Sequence, residues 1–150
     1  MNLINEVTIH FPSVSINESF ARNVIATFLL PLDPTIEELN DIKTAVSEAV
    51  TNCIVHAYKD SIGMIYITAK IFEDGLVNIK IRDRGKGIKD VNKAMQPLYT
   101  TDSQGERSGL GFAVMQSFMD SVKVSSRINI GTSVMLGKRL IRRRINKNDG

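Results

Sequence analysis

The sequence contains only one cysteine and no long apolar run, and both absences narrow what the chain can be. Cys53 has no second cysteine in the chain to pair with, which excludes a disulfide framework and makes a reducing cytoplasm the expected compartment. No stretch of 18 apolar residues occurs, and the first residues lack the basic and apolar segments of a secretory leader. We therefore expect a cytoplasmic chain that is neither exported nor membrane-spanning.

The net charge of +3 is concentrated at one end of the chain. Residues 137–150 carry six basic side chains and one acidic one, which leaves 13 basic and 15 acidic side chains, or a net charge of −2, for residues 1–136. The excess of basic over acidic side chains is therefore a property of the C-terminal tail. We predict a single domain over residues 1–137, a basic and disordered tail over 138–150, and no direct binding of nucleic acid.

The spacing of apolar residues predicts helices and strands in a mixed order. The predicted strands are 3–11, 65–71, 77–81, 121–128 and 132–138. The predicted helices are 17–30, 35–58, 89–95 and 111–119, and Thr35 and Glu38 form a capping box at the start of the second. Because the later strands come in hairpins, we predict an α+β fold, a two-layer α/β sandwich with helices on one face of a mixed sheet.

Three polar side chains share one face of the long second helix. Glu48, Asn52 and His56 are four residues apart, and this spacing brings them to nearly the same side of a helix whose other side is apolar. Considered alone, they could form an ordinary solvated face.

A glycine-rich loop follows the first predicted hairpin, strands 65–71 and 77–81. Asp83 ends an apolar strand, and Gly85 and Gly87 come directly after it. A carboxylate at this place can accept hydrogen bonds from a ligand, while glycines let the backbone approach that ligand closely. The pattern is weak alone, since turns often contain Asp and Gly.

A second pair of glycines stands immediately before a predicted helix. Gly109 and Gly111 open the helix at 111–119, where free backbone N–H groups and the helix dipole favour an anion such as phosphate. Thr132, on the last hairpin, adds one more small polar group.

In this order and spacing, the motifs resemble those of the Bergerat-fold (GHKL) ATPases and kinases, and more specifically the anti-sigma-factor serine kinases of sporulation. The resemblance covers nearly the whole chain except the basic tail. It is carried by NESFAR at 17–22, LDPT at 32–35, VSEAVTN at 46–52, PLYTT at 97–101 and ERSGLGF at 106–112.

The resemblance implies ATP and Mg²⁺ as cofactors and gives each motif a role. Asn52 would supply an oxygen to Mg²⁺, Glu48 would be the general base, and Asp83 would read the adenine, with Thr132 as a second contact. As a hypothesis, Arg107 would neutralise charge on the transferred phosphoryl group. The other nucleotide contacts that the resemblance implies are His56, Gly85, Gly87, Thr100, Thr101, Ser108, Gly109, Leu110 and Gly111.

The resemblance also implies protein partners. A member of this family holds a sporulation sigma factor of the sigma-F type inactive and phosphorylates a serine of its anti-anti-sigma antagonist. Arg22 matches the family's partner-contacting arginine, and the family forms homodimers through the first strand and helix.

Three other functions are compatible with parts of the pattern. A histidine-kinase catalytic domain shares the nucleotide motifs, but the first 45 residues leave no room for its phosphoacceptor helices. A stress-response anti-sigma kinase of the same fold remains open. A non-catalytic, nucleotide-dependent binding module also remains open. Glu48 favours a kinase over such a module, because binding alone needs no base.

Overall fold

The computed structural model describes residues 2–96 and 111–140. The strands are β1 (Leu3–Pro12), β2 (Met64–Phe72), β3 (Leu76–Asp83), β4 (Ser121–Arg127) and β5 (Gly131–Arg139). The helices are α1 (Ile16–Leu29), α2 (Ile36–Asn52), α3 (Val91–Ala94) and α4 (Gly111–Phe118), with a 3₁₀ turn at Leu30–Leu32 and a π-helical turn at Cys53–Ala57. Within these two ranges, no helix has the length and apolar character that crossing a bilayer requires.

The strands form one five-stranded sheet in the order β1-β2-β3-β5-β4. The predicted two-layer α+β sandwich is confirmed, but the prediction of a mixed sheet is wrong, because all four pairings of the described strands are antiparallel. The helical connection from β3 does bring β4 back parallel to β3. However, β5 returns from the β4 hairpin and lies between them, so no parallel pair forms among the described strands.

The two faces of the sheet differ in the side chains that alternate along each strand. One face carries buried aliphatic residues, such as Ile67 on β2 and Ile79 on β3, against the helices. From that helical layer, Val46 of α2 and Ile25 of α1 enter the same core. The opposite face carries mostly polar and charged side chains, with a few apolar ones such as Met135. This alternation is the pattern of an antiparallel sheet with one buried face.

The start of α2 confirms the predicted capping box. The Thr35 hydroxyl accepts a hydrogen bond from the Glu38 N–H at 3.0 Å, and the Glu38 carboxylate accepts one from the Thr35 N–H at 2.9 Å. Two backbone donors that a helix start leaves free are thereby satisfied. The cap fixes where α2 begins and therefore which of its later side chains share a face.

The end of α2 differs from the sequence prediction of one helix to residue 58. The regular α-helix stops at Asn52, and the chain continues as a π-helical turn through Ala57. The Tyr58 hydroxyl donates to the Met64 carbonyl at 2.7 Å and accepts from the Arg84 N–H at 2.6 Å. These bonds tie the irregular turn to β2 and to the loop after β3.

The described fold continues to residue 140, past the domain boundary predicted at residue 137. β5 runs to Arg139, and the Lys138 ammonium donates to the Phe118 carbonyl at 2.6 Å and lies 3.7 Å from the Asp41 carboxylate. Leu140 is buried in the core. These contacts make residues 138–140 part of the domain, and the rest of the predicted tail lies outside the described residues.

Candidate functional site

A cleft of about 870 Å³ opens between the end of α2, the loop after β3 and the start of α4. This volume is in the range of small-molecule binding sites. Its lining includes Cys53 and six residues that the sequence analysis names as nucleotide or metal contacts: Asn52, His56, Asp83, Gly87, Gly111 and Thr132. The cleft therefore brings together parts of the chain that lie far apart in the sequence.

The polar ends of Glu48 and Asn52 meet the first residue of α4. A Cβ built on Gly111 would lie 3.1 Å from Oδ1 and 3.2 Å from Nδ2 of Asn52, and 3.5 Å from Oε2 of Glu48. Because Gly111 has no side chain, these polar groups can lie close to the backbone at the start of α4. The polar face of α2 and the start of α4 thus lie side by side.

Asp83 is buried at the floor of the cleft, with only 5% of its surface exposed. Its Oδ1 accepts hydrogen bonds from the N–H groups of Gly85 at 2.9 Å and Thr132 at 3.2 Å. Its Oδ2 accepts from the Cys53 thiol at 3.5 Å. Burial raises the pKa of the Asp83 carboxyl above its ordinary value, and these three hydrogen bonds oppose part of that rise.

The loop after β3 is held between two other parts of the fold. The Lys86 N–H donates to the Ala57 carbonyl at 3.2 Å, and the Lys86 carbonyl accepts from the Asn129 N–H at 2.7 Å. A side chain at Gly85 would clash with that Ala57 carbonyl, and Gly87 has a φ of +75°, which side chains disfavour. Glycine is therefore required at both predicted positions to keep this wall of the cleft in place.

Two residues of the site were not predicted as functional from the sequence. The sequence analysis considered Cys53 only as a cysteine without a disulfide partner. Its thiol contacts Asp83, and burial together with the Asp83 charge raises the pKa of the thiol. Ser126 bonds the Thr132 hydroxyl at 2.7 Å and accepts from the Ile88 N–H at 2.8 Å. The alternation along the last hairpin, which places Ser126 opposite Thr132, could have indicated this contact.

The remaining predicted residues differ in where they lie. His56, in the π-helical turn, lines the cleft as expected, and its contact with a nucleotide stays a prediction. Arg22 lies on α1, does not line the cleft, and pairs with Glu18 at 3.4 Å. The other six lie outside the described residues: Thr100, Thr101, Arg107, Ser108, Gly109 and Leu110.

The few oxygen donors of the cleft fit a Mg²⁺ ion that takes most of its coordination from a bound ligand and water. Residues 2–96 and 111–140 contain no cluster of three His, Cys, Asp or Glu side chains that could form a complete metal cage. An amide oxygen from Asn52, with the Glu48 carboxylate beside it, supplies few but hard oxygen donors. Mg²⁺ typically takes one or two protein ligands and completes its shell with phosphate oxygens and water.

The Asp83 geometry leads to a prediction about binding and stability. Asp83→Asn should weaken ATP binding by about 10- to 150-fold, the range for a hydrogen bond to a charged group, and Asp83→Ala should weaken it further. Because the pKa of Asp83 is raised in the folded state, ionisation of its carboxyl lowers the free energy of unfolding as the pH rises through that pKa. The Asp83→Asn variant, which is neutral at this position, should therefore melt no lower than wild type at neutral pH.

Calorimetric titration and thermal melts measure these two effects. Asp60→Asn, on the exposed segment after the π-helical turn, is the matched control and should bind ATP normally. Equal affinity of the wild-type chain for GTP and ATP would refute adenine reading by Asp83.

Comparisons with known proteins match nearly the whole chain. A family model described as "histidine kinase-like ATPase domain" matches residues 16–138. The chain is 56% identical over 144 residues to the anti-sigma F factor of Caldanaerobacter subterraneus, covering 96% of this chain and all of that one. It is 50% identical over 137 residues to the anti-sigma F factor of Priestia megaterium, covering 91% and 93%.

Solved structures show the same fold at low sequence identity. The RsbU and RsbW domains of a Mycobacterium tuberculosis protein match with a TM-score of 0.67 and 21% identity, over 91% of this chain and 33% of that one. The SiaB–SiaC complex of Pseudomonas aeruginosa matches with a TM-score of 0.63 and 14% identity, over 87% and 88%.

Proposed function

The chain belongs to the anti-sigma F factor family, within the histidine kinase-like ATPase domains, and on this premise we propose that it is an ATP-dependent protein serine kinase. In this proposal it sequesters a sporulation sigma factor of the sigma-F type and phosphorylates a serine of the anti-anti-sigma antagonist. The observation that carries the kinase part is the convergence of Glu48 and Asn52 on Gly111. This proximity supports the proposal that Glu48 is a base acting beside phosphates bound at the start of α4.

The proposal places the adenine of ATP over Asp83. Two backbone N–H groups already occupy Oδ1, so Oδ2, where the Cys53 thiol donates, is the oxygen left for the exocyclic amine of adenine. The same oxygen would repel the carbonyl of guanine. Adenine and the phosphates would thus lie at opposite ends of the cleft, with the phosphates at the start of α4.

The transfer step needs a proton acceptor and charge neutralisation. As the serine oxygen bonds to the γ-phosphorus and the bond to the β–γ bridging oxygen breaks, the serine proton passes to the Glu48 carboxylate and ADP leaves. Mg²⁺, when bound, would neutralise phosphate charge. Asn52 would orient the phosphates, and the N–H groups at the start of α4 would bind them.

Arg22 is the proposed contact with the sigma factor. It lies on α1, part-exposed and held by Glu18 one turn earlier, at a distance from the chemistry. Arg22→Ala should weaken sigma-factor binding by about 30-fold, as expected for an interface arginine, without changing ATP affinity. Surface plasmon resonance with ATP present measures this.

Glu18→Ala is the control for that experiment. It removes the ion-pair partner but keeps the guanidinium, so sigma-factor binding should persist. Sigma-factor affinity unchanged in Arg22→Ala would remove Arg22 from the interface.

We also propose that the chain is a homodimer in the cytoplasm. β1 is an edge strand, and apolar side chains of β1 and α1 are exposed: Leu3, Ile4, Ile16 and Phe20. Exposed apolar groups beside a free strand edge favour association. A sedimentation equilibrium mass equal to that of one chain would contradict it.

The alternative is a nucleotide-dependent module that only sequesters its partner. The place of Glu48 beside Asn52 argues against it, since binding alone does not need a carboxylate at the phosphate end of the cleft. A stress-response kinase of the same fold would differ only in the partners that it binds.

A further inference from the structure

The outward face of the sheet, opposite the helices and the cleft, is strongly basic. Five exposed cations project from it, and we call this surface the basic face: Lys80, Arg82, Arg84, Lys123 and Arg127. Among the described strand positions that face outward, Glu6 on β1 is the only carboxylate. This surface is therefore predominantly positive, although the net charge of residues 1–136 is −2.

The strand register brings these cations close together. Lys80 on β3 and Lys123 on β4 both lie opposite Met135 on β5, so the two ammonium groups flank one apolar side chain. Two strand spacings separate their backbones by about 10 Å. Arg82 lies in the next row, opposite Ser133. Within the described residues, none of these cations forms an ion pair.

An aromatic cluster orders one side of the basic face. The Tyr66 ring stacks on His10 with centroids 5.9 Å apart, and the guanidinium carbons of Arg82 and Arg84 lie 5.0 and 5.1 Å from its centroid. Such cation–π contacts restrict the two guanidinium groups before any ligand binds. The groups therefore lose less conformational entropy on binding. Two guanidinium groups ordered in this way are suited to bidentate binding of carboxylates.

We propose that the basic face binds an acidic segment of a polypeptide partner, at a surface separate from the nucleotide cleft. Charge complementarity identifies the partner: cations that have no ion pair within the described part of the chain gain most from Asp and Glu side chains. A second copy of this face would bring like charges together. Single-stranded nucleic acid is disfavoured because the Tyr66 ring, which base stacking would need, is already covered by His10 and the two arginines.

The test uses the full chain and a short fluorescein-labelled poly-L-glutamate peptide, with fluorescence anisotropy as the readout. Lys80→Glu with Lys123→Glu should weaken peptide binding at least about tenfold at low ionic strength. The control, Lys43→Glu with Lys59→Glu, changes net charge equally on the helical side and should bind nearly as wild type. ATP affinity, measured in parallel, should stay unchanged in both.

Three outcomes would overturn the proposal. The wild-type chain could fail to bind the peptide at low ionic strength. The two double variants could lose the same affinity, which would mean that overall charge determines binding. They could also lose none, which would assign binding to the basic residues after 140. Finally, a single-stranded oligonucleotide of equal charge could bind more tightly than the peptide, which would assign the face to nucleic acid.

Discussion

Replacing Glu48 with Gln should reduce phosphoryl transfer to the antagonist by about 10²- to 10⁴-fold, the usual contribution of a general base, with ATP affinity close to wild type. Gln keeps the length of the side chain and the helix but cannot take the serine proton. The groups expected to bind the nucleotide, Asn52, Asp83 and the start of α4, remain in place. Sigma-factor binding should also persist, because sequestration needs no chemistry.

Two assays on one variant separate these effects. A nucleotide titration reports binding, and a phosphoserine measurement reports transfer. Glu37→Gln, exposed in the first turn of the same helix, is the matched control and should transfer normally. Near-normal transfer by Glu48→Gln would place the base on another residue, whereas lost ATP binding would make Glu48 mainly a metal-site or structural group.

Replacing Asn52 with Ala should abolish the part of ATP affinity that depends on Mg²⁺. The amide is the proposed protein donor to the metal, and it lies directly at the start of α4, where the phosphates are proposed to bind. Its place at the cleft surface, half-buried, means that truncation should leave the fold intact. A thermal melt without nucleotide checks this.

Calorimetry with and without Mg²⁺ decides the role of Asn52. Wild type should bind ATP more tightly when Mg²⁺ is present, and Asn52→Ala should lose that difference. Asn40→Ala, an exposed position near the start of α2, should keep it. The assignment fails if Asn52→Ala binds ATP with wild-type affinity in the presence of Mg²⁺.

Local patterns predicted most elements of the fold. With α2 and the π-helical turn taken together, every predicted helix and strand is present within two residues of its expected ends. The periodicity of apolar residues and the capping of helices are local properties of the sequence, so a residue such as Thr35 is enough to define where a helix begins. Likewise, the four-residue spacing of Glu48 and Asn52 was enough to place both on one helix face.

What the sequence could not predict depends on distant contacts. The π-helical turn is held by the Tyr58 hydroxyl, which donates to the Met64 carbonyl and accepts from the Arg84 N–H, and no helical pattern encodes these bonds. The antiparallel sheet results from β5 lying between β3 and β4. The end of the domain was placed too early because Lys138 has the composition of a tail, whereas its ammonium is bonded to α2 and the end of α4.

The sequence predicted most residues of the candidate site but not the hydrogen bonds between them. Asp83 and Thr132 were recognised from motifs 49 residues apart, and the structure joins them through a hydrogen bond. The role of Cys53 could not be foreseen, since a buried cysteine usually packs as an apolar residue. Its contact with Asp83 arises only because the π-helical turn lies against the end of β3.

The most direct test of the account is the transfer of label from γ-³²P-ATP to a purified anti-anti-sigma antagonist. The account predicts label on a serine of the antagonist, dependent on Mg²⁺ and on Glu48, with GTP unable to replace ATP as donor. A chain that binds ATP and the sigma factor but transfers no label would contradict it, and would leave a nucleotide-dependent binding module in place of a kinase.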